Sequence, residues 1–412
     1  MERGEAMRCG LLGEHLSHSF SPQIHAELGE YEYCLYEKAP EEIEDFIRGA
    51  EFDGLNVTIP YKKTVIPFCS GLSDTARAIG RVNTLVRLSD GSLFGENTDY
   101  FGFKYLLKKT GVDPAAGKTL VLGSGGASLT VQAVLRDESA GEVVVVSRSG
   151  SENYENVGRH KDAIMIVNTT PVGMYPKCGI SPLPDLGIFK NCRAAIDLIY
   201  NPARTEFLLQ AEEMGIPGFN GLVMLSAQAK RAAELFLGAP ILDDIIETIT
   251  AKIARLTRNI ALIGMPGCGK TTIGAALAEL MGREFVDTDD RVAEAAGKPI
   301  PAIFDEDGED SFRTLETNAL REFCGQSGLV IATGGGVVKR AENLRMMRQN
   351  AVIVFLDREV KELPILSRPL SQRDGIAALA AERLPLYERW GEHTVAVRGV
   401  KQTAEGICKL LE

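Results

Sequence analysis

The chain has 412 residues, of which 45% are hydrophobic and 25% charged, a composition typical of a globular protein with two or three domains. Its formal net charge of −11 argues against a general nucleic-acid binder, because phosphate backbones attract clustered Lys and Arg side chains. The eight cysteines have no paired spacing typical of a disulfide framework or a zinc site. No apolar run reaches the roughly 18 residues that a membrane span needs. We therefore expect a cytoplasmic protein with reduced thiols and with neither zinc nor a membrane partner.

Short β-branched runs alternate with amphipathic stretches along most of the chain. Helices are predicted over 41–50, 241–253 and 272–282, and strands over 119–124, 142–149, 164–170, 193–200, 259–264, 328–335 and 351–357. Apolar strands without strict alternation are buried on both faces, and their alternation with helices predicts parallel α/β sheets. A domain boundary is expected at a short linker over 254–257, between a helical pattern and a new strand.

The run LVLGSGGAS follows a predicted strand and precedes a helical pattern. Gly123 and Gly125 occupy the first two glycine positions of the dinucleotide fingerprint, where backbone N–H groups and a helix N-terminus hold a pyrophosphate. The next strand leads to Ser147, Arg148 and Ser149. A guanidinium there suits a 2′-phosphate, so the pattern favours NADP over NAD. A surface arginine without a ligand is the competing interpretation.

Further segments, read with this loop, identify a family. They are LSHSFSP (16–22), NVTIPYK (56–62), AIGRVNT (78–84), GENTDYFGF (95–103), NTTPVGM (168–174), DLIYNP (197–202), NG (220–221) and LSAQA (225–229). In this order they resemble shikimate dehydrogenase over residues 1–253. The resemblance implies a substrate lobe over 7–103 plus 222–253 and a Rossmann-like NADP-binding lobe over 104–221.

The resemblance also implies site residues. Lys62 and Asp99 would be the catalytic pair, which suits hydride reduction of a carbonyl, because an ammonium group stabilises the alkoxide and delivers a proton. The implied substrate contacts are Ser17, Ser19, Thr58, Lys62, Asn83, Asp99, Tyr200 and Gln228. The implied cofactor contacts are Gly123, Ser124, Gly125, Gly126, Ala127, Ser147, Arg148, Ser149, Thr169 and Gly221. Ser21, before Pro22, is expected to cap a helix.

Two features depart from that family. Arg81 stands in AIGRVNT where the family more often carries a small residue. Only about fifteen residues separate SRS (147–149) from the next predicted strand, so we expect a helix or strand of the NADP-binding lobe to be missing there.

GMPGCGKT (264–271) fits the pattern GxxxxGK[ST] between a predicted strand and a predicted helix. Its phosphate contacts are expected from Gly264, Gly267, Cys268, Gly269, Lys270, Thr271 and Thr272. Lys270 should bridge the β- and γ-phosphates of a nucleotide, expected to be ATP, and Thr271 should hold Mg²⁺. The pattern predicts a P-loop NTPase domain.

Later segments resemble shikimate kinase over residues 258–412, a P-loop fold of the nucleoside monophosphate kinase type. They are FVDTDD (285–290), GEDSFRTLE (308–316), ATGGGVV (332–338), SRPL (367–370) and ERLPLYERW (382–390). The resemblance implies that Asp287 lies near the metal, that Asp289 accepts the proton of the reacting hydroxyl, and that Arg368 reaches the ATP phosphates from a lid. The remaining implied substrate contacts are Arg313, Gly334, Gly335, Gly336 and Arg383.

Together the two resemblances imply one bifunctional enzyme of aromatic amino acid biosynthesis. It would reduce 3-dehydroshikimate with NADPH and phosphorylate the resulting shikimate with ATP. Two alternatives stay open: an NAD-dependent quinate/shikimate dehydrogenase fused to the kinase, and a non-catalytic binding module in one half. The sequence also leaves open whether the chain forms a homo-oligomer.

Overall fold

The structure is a computed structural model. It describes residues 7–16, 19–49, 52–363 and 375–411. The chain divides into two compact units. The first runs to Gly173 and continues with Ile180–Tyr200 and Phe207–Ala254, and the second comprises Met174–Gly179, Asn201–Glu206 and the chain from Arg255. Predicted sites at Ser17 and Arg368 lie outside the described residues.

The first unit begins with a six-stranded sheet in the order β2-β1-β3-β5-β6-β4. Its strands are β1 (Arg8–Gly13), β2 (Glu32–Glu37), β3 (Gly54–Val57), β4 (Gly71–Leu72), β5 (Thr84–Arg87) and β6 (Leu93–Glu96). β5 runs antiparallel to both β3 and β6, so the prediction of parallel sheets, which was made from strands later in the chain, does not extend to this sheet. The short turn between β5 and β6 allows only an antiparallel pairing, since a parallel one needs a long crossover.

A second sheet of this unit has five parallel strands in the order β11-β10-β9-β7-β8. Its strands are β7 (Thr119–Leu122), β8 (Val143–Val146), β9 (Met165–Asn168), β10 (Ala194–Asp197) and β11 (Gly218–Phe219). β7, β9 and β10 are buried along their whole length, as the apolar runs predicted. The structure describes the whole connection between β8 and β9. The regular structure in that connection is a single 3-10 turn, Val157–His160.

Eight helices accompany these sheets in the described part of the first unit and at its end. They are α1 (Ser21–His25), α2 (Ile43–Gly49), α3 (Asp74–Ile79), α4 (Thr98–Lys109), α5 (Gly126–Asp137), α6 (Glu206–Glu213), α7 (Leu222–Leu237) and α8 (Asp244–Thr257). α4 and α7 pack along each other. The helix cap expected at Ser21 was wrong, because Phe20 holds the N-cap position and Ser21 is the first helical residue.

The expected linker over 254–257 is the last turn of α8, and β12 begins at Asn259. The buried stripe of α8 ends at Ile253. The turn that follows contains neither Gly nor Pro, so nothing in its sequence stops the helix.

The second unit is built on a five-stranded parallel sheet in the order β13-β14-β12-β15-β16. Its strands are β12 (Asn259–Ile263), β13 (Phe285–Asp287), β14 (Val330–Ala332), β15 (Ala351–Asp357) and β16 (His393–Ala396). The helices described around it are α9 (Lys270–Met281), α10 (Thr288–Ala296), α11 (Ile300–Glu306), α12 (Gly308–Gly325), α13 (Ala341–Asn350), α14 (Ile376–Trp390) and α15 (Val400–Leu411). Within the described ranges, no helix is both long and apolar enough to cross a membrane.

Candidate active sites

Lys62 and Asp99 form a close ion pair in the first unit. Lys62 Nζ donates to Asp99 Oδ2 over 2.5 Å, and the two side chains are 22% and 18% exposed. Asp99 lies in the first turn of α4, where the helix dipole favours a carboxylate, and Asn97 caps that helix by accepting from Tyr100 N. The ammonium group is therefore held at the rim of the site, open to a substrate.

Asn83 and Gln228 lie close to this pair. Asn83 Nδ2 donates to Asp99 Oδ1 and to Thr98 Oγ1, each over 3.0 Å, and Thr98 Oγ1 donates to Gln228 Oε1 over 3.3 Å. The structure thus brings together four of the predicted substrate residues. Thr98 is a member that sequence reasoning missed, although it stands directly before Asp99 in a segment already singled out.

A buried chain of hydrogen bonds supports these side chains from behind. Thr84 Oγ1 lies 3.1 Å from Thr98 Oγ1, Asn56 Nδ2 donates to Thr84 Oγ1 over 3.1 Å, and Tyr33 Oη donates to Asn56 Oδ1 over 2.8 Å. Buried polar groups that are all paired hold one arrangement firmly. Asn56, Thr84 and Thr98 stand in three of the quoted segments, but only the folded structure shows that they join in one run of hydrogen bonds.

The other predicted substrate residues lie on neighbouring segments. Ser19 Oγ accepts from Ser21 N over 3.2 Å. The ring of Tyr200 packs on Phe20, with centroids 5.8 Å apart, and burial raises the pKa of its phenol. Thr58 is half-buried at the end of β3, and its methyl group lies over Gly13.

The first glycine loop lies at the carboxyl end of β7, the usual place for a ligand in a parallel sheet. Gly123 has φ of 104°, and a Cβ on it would come within 2.9 Å of Thr169 Oγ1, which itself donates to Leu122 O. Gly125 caps α5, and Gly126 begins it. Ser124 and Ala127 belong to the same loop and first turn. The predicted contacts with a pyrophosphate therefore lie on a single turn.

The remaining predicted cofactor residues occupy two other places. Arg148 and Ser149 are exposed just beyond β8, beside the half-buried Ser147. Gly221 precedes α7, where a Cβ would come within 2.0 Å of Leu198 O, so only glycine fits there. An exposed guanidinium next to two hydroxyl groups suits an anion and leaves it accessible.

The second glycine loop joins β12 to α9. Gly264, Gly267 and Gly269 have φ of 148°, 80° and 108°, conformations that favour glycine. The ammonium of Lys270 is held within the loop, where it donates to Gly264 O over 2.8 Å and Met265 O over 3.1 Å. Cys268 is buried and Thr272 is exposed. The loop therefore has the geometry of a phosphate-binding P-loop.

Oxygen ligands for a hard cation lie beside this loop. Thr271 Oγ1 donates to Asp287 Oδ2 over 2.7 Å, and Asp287 Oδ1 accepts from Asp289 N over 2.9 Å. A hydroxyl and a carboxylate at this distance match the donor set that Mg²⁺ takes with nucleotide phosphates. The described residues contain no group of three or more His, Cys, Asp or Glu side chains arranged for a metal.

Two buried arginines lie against the third glycine run, Gly334–Gly336. Arg313 Nη1 donates to Glu316 Oε2 over 2.7 Å, and Arg383 Nη1 donates to Gly335 O over 3.1 Å. The hydroxyl of Tyr387 also donates to Gly335 O. A Cβ on Gly336 would come within 1.9 Å of Arg313 Nη1. The predicted substrate arginines are thus placed together against the backbone of the glycine run.

These arginines retain unused hydrogen-bonding capacity. Arg313 Nε, Arg383 Nε and Glu316 Oε1 are buried and have no hydrogen-bond partner among the described residues. Burial raises the pKa of Glu316, against the opposing effect of the Arg313 charge. A Cβ on Gly334 would come within 2.8 Å of Asp289 Oδ1, which places this carboxylate at the same site. Two buried guanidinium groups with free donors suit a carboxylate ligand.

Comparisons with known proteins agree with this division of the chain. The family model of the shikimate dehydrogenase substrate binding domain matches residues 11–85, and the shikimate kinase model matches residues 266–412. The NADP(+) shikimate dehydrogenase of Clostridium perfringens is 34% identical over 253 residues, which are 56% of this chain and 93% of that protein.

Solved structures resemble the first unit. A chorismate mutase/shikimate 5-dehydrogenase fusion protein from Clostridium acetobutylicum is 36% identical with a TM-score of 0.57, over 60% of this chain and 97% of that one. Shikimate 5-dehydrogenase from Thermus thermophilus, in complex with NADP(H) and shikimate, is 32% identical with a TM-score of 0.54, over 60% and 99%. The chain belongs to the shikimate dehydrogenase family and carries a shikimate kinase domain behind the dehydrogenase.

Proposed function

We propose that the chain catalyses two consecutive reactions. The first unit reduces 3-dehydroshikimate to shikimate with NADPH, and the second phosphorylates shikimate with ATP to shikimate 3-phosphate. The observation that carries the proposal is the presence, in one chain, of a Lys62–Asp99 pair beside a dinucleotide loop and of two arginines with free donors beside a P-loop. The first arrangement suits carbonyl reduction, and the second suits phosphorylation of a hydroxy acid.

Bound at the first glycine loop, NADPH would supply the hydride that reduces the substrate's carbonyl carbon. The Lys62 ammonium stabilises the negative charge that develops on the carbonyl oxygen and gives that oxygen a proton. Asp99 keeps the ammonium oriented. Asn83 and Gln228 hold the neighbouring hydroxyl groups of the substrate, and Thr98 fixes both amides in place.

In the phosphorylation, the 3-hydroxyl of shikimate attacks the γ-phosphorus of ATP. Asp289 accepts the hydroxyl proton as the oxygen–phosphorus bond forms, and ADP leaves. Lys270 neutralises charge on the β- and γ-phosphates, and Arg313 with Arg383 holds the substrate's carboxylate. Thr271 and Asp287 would bind Mg²⁺, which screens the phosphate charge.

Two observations support NADP rather than NAD as the cofactor of the first unit. Arg148 stands where a dinucleotide site that takes NAD carries an acidic residue, and an exposed guanidinium attracts a 2′-phosphate. The relative in Clostridium perfringens is an NADP(+) enzyme by name. An NAD-dependent quinate/shikimate dehydrogenase is the weaker candidate for this unit.

A coupled assay on the purified chain tests the proposal. With 3-dehydroshikimate, NADPH, ATP and Mg²⁺, we expect one equivalent of NADPH to be consumed for each shikimate 3-phosphate formed. Accumulation of shikimate alone would reject the kinase activity, and absence of NADPH oxidation would reject the dehydrogenase activity. Replacement of NADPH by NADH should slow the first step by at least an order of magnitude.

A further inference from the structure

Arg81 is a charged residue of the first unit to which the reactions above give no role. It follows the C-terminus of α3 and stands two residues before Asn83. Its backbone is firmly held: its carbonyl accepts from Asn97 Nδ2 over 3.1 Å, and the next amide, of Val82, donates to Lys62 O over 2.8 Å. The position of Arg81 is therefore tied to the segment that carries the substrate residues.

The side chain of Arg81 lies against the first glycine loop. A Cβ on Gly126 would come within 2.8 Å of both Cζ and Nε of Arg81, and within 3.1 Å of its Nη1. α3 and α5 also contact each other. The guanidinium thus covers the first turn of α5, where the loop presents its N–H groups.

This placement is unfavourable for the protein alone. A helix N-terminus carries partial positive charge, so a cation there is repelled. Arg81 Nε is buried and makes no hydrogen bond within the described part of the chain, and no ion pair to an acidic side chain compensates its charge there. A buried donor without a partner costs free energy. An anion bound at the loop would relieve both penalties, because it would accept from Arg81 and from the backbone N–H groups together.

We propose that Arg81 binds the pyrophosphate of the dinucleotide held by the glycine loop. The inference rests on the proposed NADP-dependent function and adds a residue to it. Arg148 would hold the 2′-phosphate on the adenosine ribose, whereas Arg81 holds the pyrophosphate at the centre of the cofactor. Since Arg81 and Asn83 belong to one short segment, this contact also links the position of the cofactor to that of the substrate.

The test is a binding measurement that does not depend on turnover. Dissociation constants for NADP⁺ and for adenosine 2′-monophosphate are measured by calorimetry on the full chain, with ADP and Mg²⁺ present to occupy the P-loop. Adenosine 2′-monophosphate carries the 2′-phosphate but no pyrophosphate. Arg81→Met should weaken NADP⁺ binding roughly 10- to 100-fold, as expected for lost hydrogen bonds to a charged group, and should change binding of the monophosphate less than twofold.

Two matched variants complete the design. Arg148→Met should weaken both ligands, since both contain the 2′-phosphate, and Arg81→Lys should recover part of the NADP⁺ affinity by restoring the charge without the planar fork. Equal weakening of both ligands by Arg81→Met would indicate damage to the lobe and overturn the inference, as would an unchanged NADP⁺ affinity. Failure of the wild-type chain to bind NADP⁺ would instead reject the proposed function.

Discussion

At the scale of single residues, Lys62 has the most direct role in the proposed reduction, because its ammonium is the group proposed to protonate the carbonyl oxygen. Lys62→Met keeps the length of the side chain and removes the charge. We expect the rate of NADPH oxidation to fall roughly 10²- to 10⁴-fold, the usual contribution of a general acid. Steady-state assays of both activities on one preparation measure this, and the kinase rate should not change.

The chain offers a matched control next to this position. Lys63 is exposed, so Lys63→Met should leave the rate of NADPH oxidation within about twofold. A Lys62→Met enzyme that retained half of the wild-type rate would remove Lys62 from the mechanism.

Short segments with fixed spacing carry the residues that the sequence assigns to the two reactions. Lys62, Asp99 and Arg313 are examples: Lys62 pairs with Asp99, and Arg313 lies against the predicted Gly336. The residues that support them were not predicted. Thr84 and Asn56 stand at the ends of two of the quoted segments, but they contact the site only after strands from different parts of the chain have paired. Their place in those segments therefore did not indicate their supporting role.

At the scale of elements, the run Gly334–Gly336 shows how backbone without side chains shapes the kinase site. Gly336→Ala would place a methyl group within 1.9 Å of Arg313 Nη1. The guanidinium is buried and would have to move, so its proposed contact with the substrate carboxylate should be lost. We expect the KM for shikimate to rise roughly 10- to 100-fold, as for a lost hydrogen bond to a charged group.

Gly406 in α15 is a suitable control for this substitution. A Cβ there meets no atom within 4 Å, so Gly406→Ala should leave both activities unchanged and raise helix stability by about 0.5–1 kcal/mol. Comparable losses of kinase activity in the two variants would contradict the role given to the third glycine run.

The packing of α1 on β2 makes one part of the first unit sensitive to acid. His25 is fully buried, stacks on Tyr33 with centroids 4.0 Å apart, and shares a hydrogen bond of 2.6 Å with Tyr31 Oη. Burial lowers the pKa of its imidazole to about 3. Between pH 6.5 and 3 the unfolded chain therefore binds one more proton here. This residue's contribution to stability is complete above pH 6.5 and falls by about 1.4 kcal/mol per pH unit below it.

Histidine labelled with ¹³C at Cε1 allows a direct measurement. One of the resonances from the five histidines should keep its neutral chemical shift from pH 7.5 to 5, and the same resonance should be missing from the spectrum of His25→Gln. If every resonance titrated near pH 6.5, the buried neutral imidazole would be excluded.

The elements themselves were predicted unevenly, for physical reasons. Seven strands from residue 119 onward were predicted, because burial leaves apolar runs such as those of β7 and β15. β11, β13 and β16 were not predicted; they are short and contain no fully buried position. The strands of the first sheet were not predicted. β2 and β6, for example, alternate buried or half-buried with more exposed positions and contain charged residues, so composition alone did not distinguish them from loops.

At the scale of the whole molecule, the chain carries two sets of proposed catalytic and substrate-binding residues that share no member. Lys62, Asn83 and Asp99 belong to the first unit, and Lys270, Asp289 and Arg313 to the second. Each set also has its own glycine loop for its own nucleotide. We therefore expect the two activities to be separable by mutation, with shikimate as the only species that connects them.

Mixing two singly inactive proteins tests this expectation. Lys62→Met should lack the reduction, and Lys270→Met should lack the phosphorylation, because without its ammonium the P-loop loses the group that neutralises the β- and γ-phosphates. An equimolar mixture should convert 3-dehydroshikimate completely to shikimate 3-phosphate, since shikimate released by one protein can bind the other. With each active site at the same concentration as in a wild-type sample, the lag before product formation should match that of wild type. A clearly shorter lag in the wild-type chain would show that shikimate passes between the two sites without mixing with solvent, and would overturn the expectation of free release.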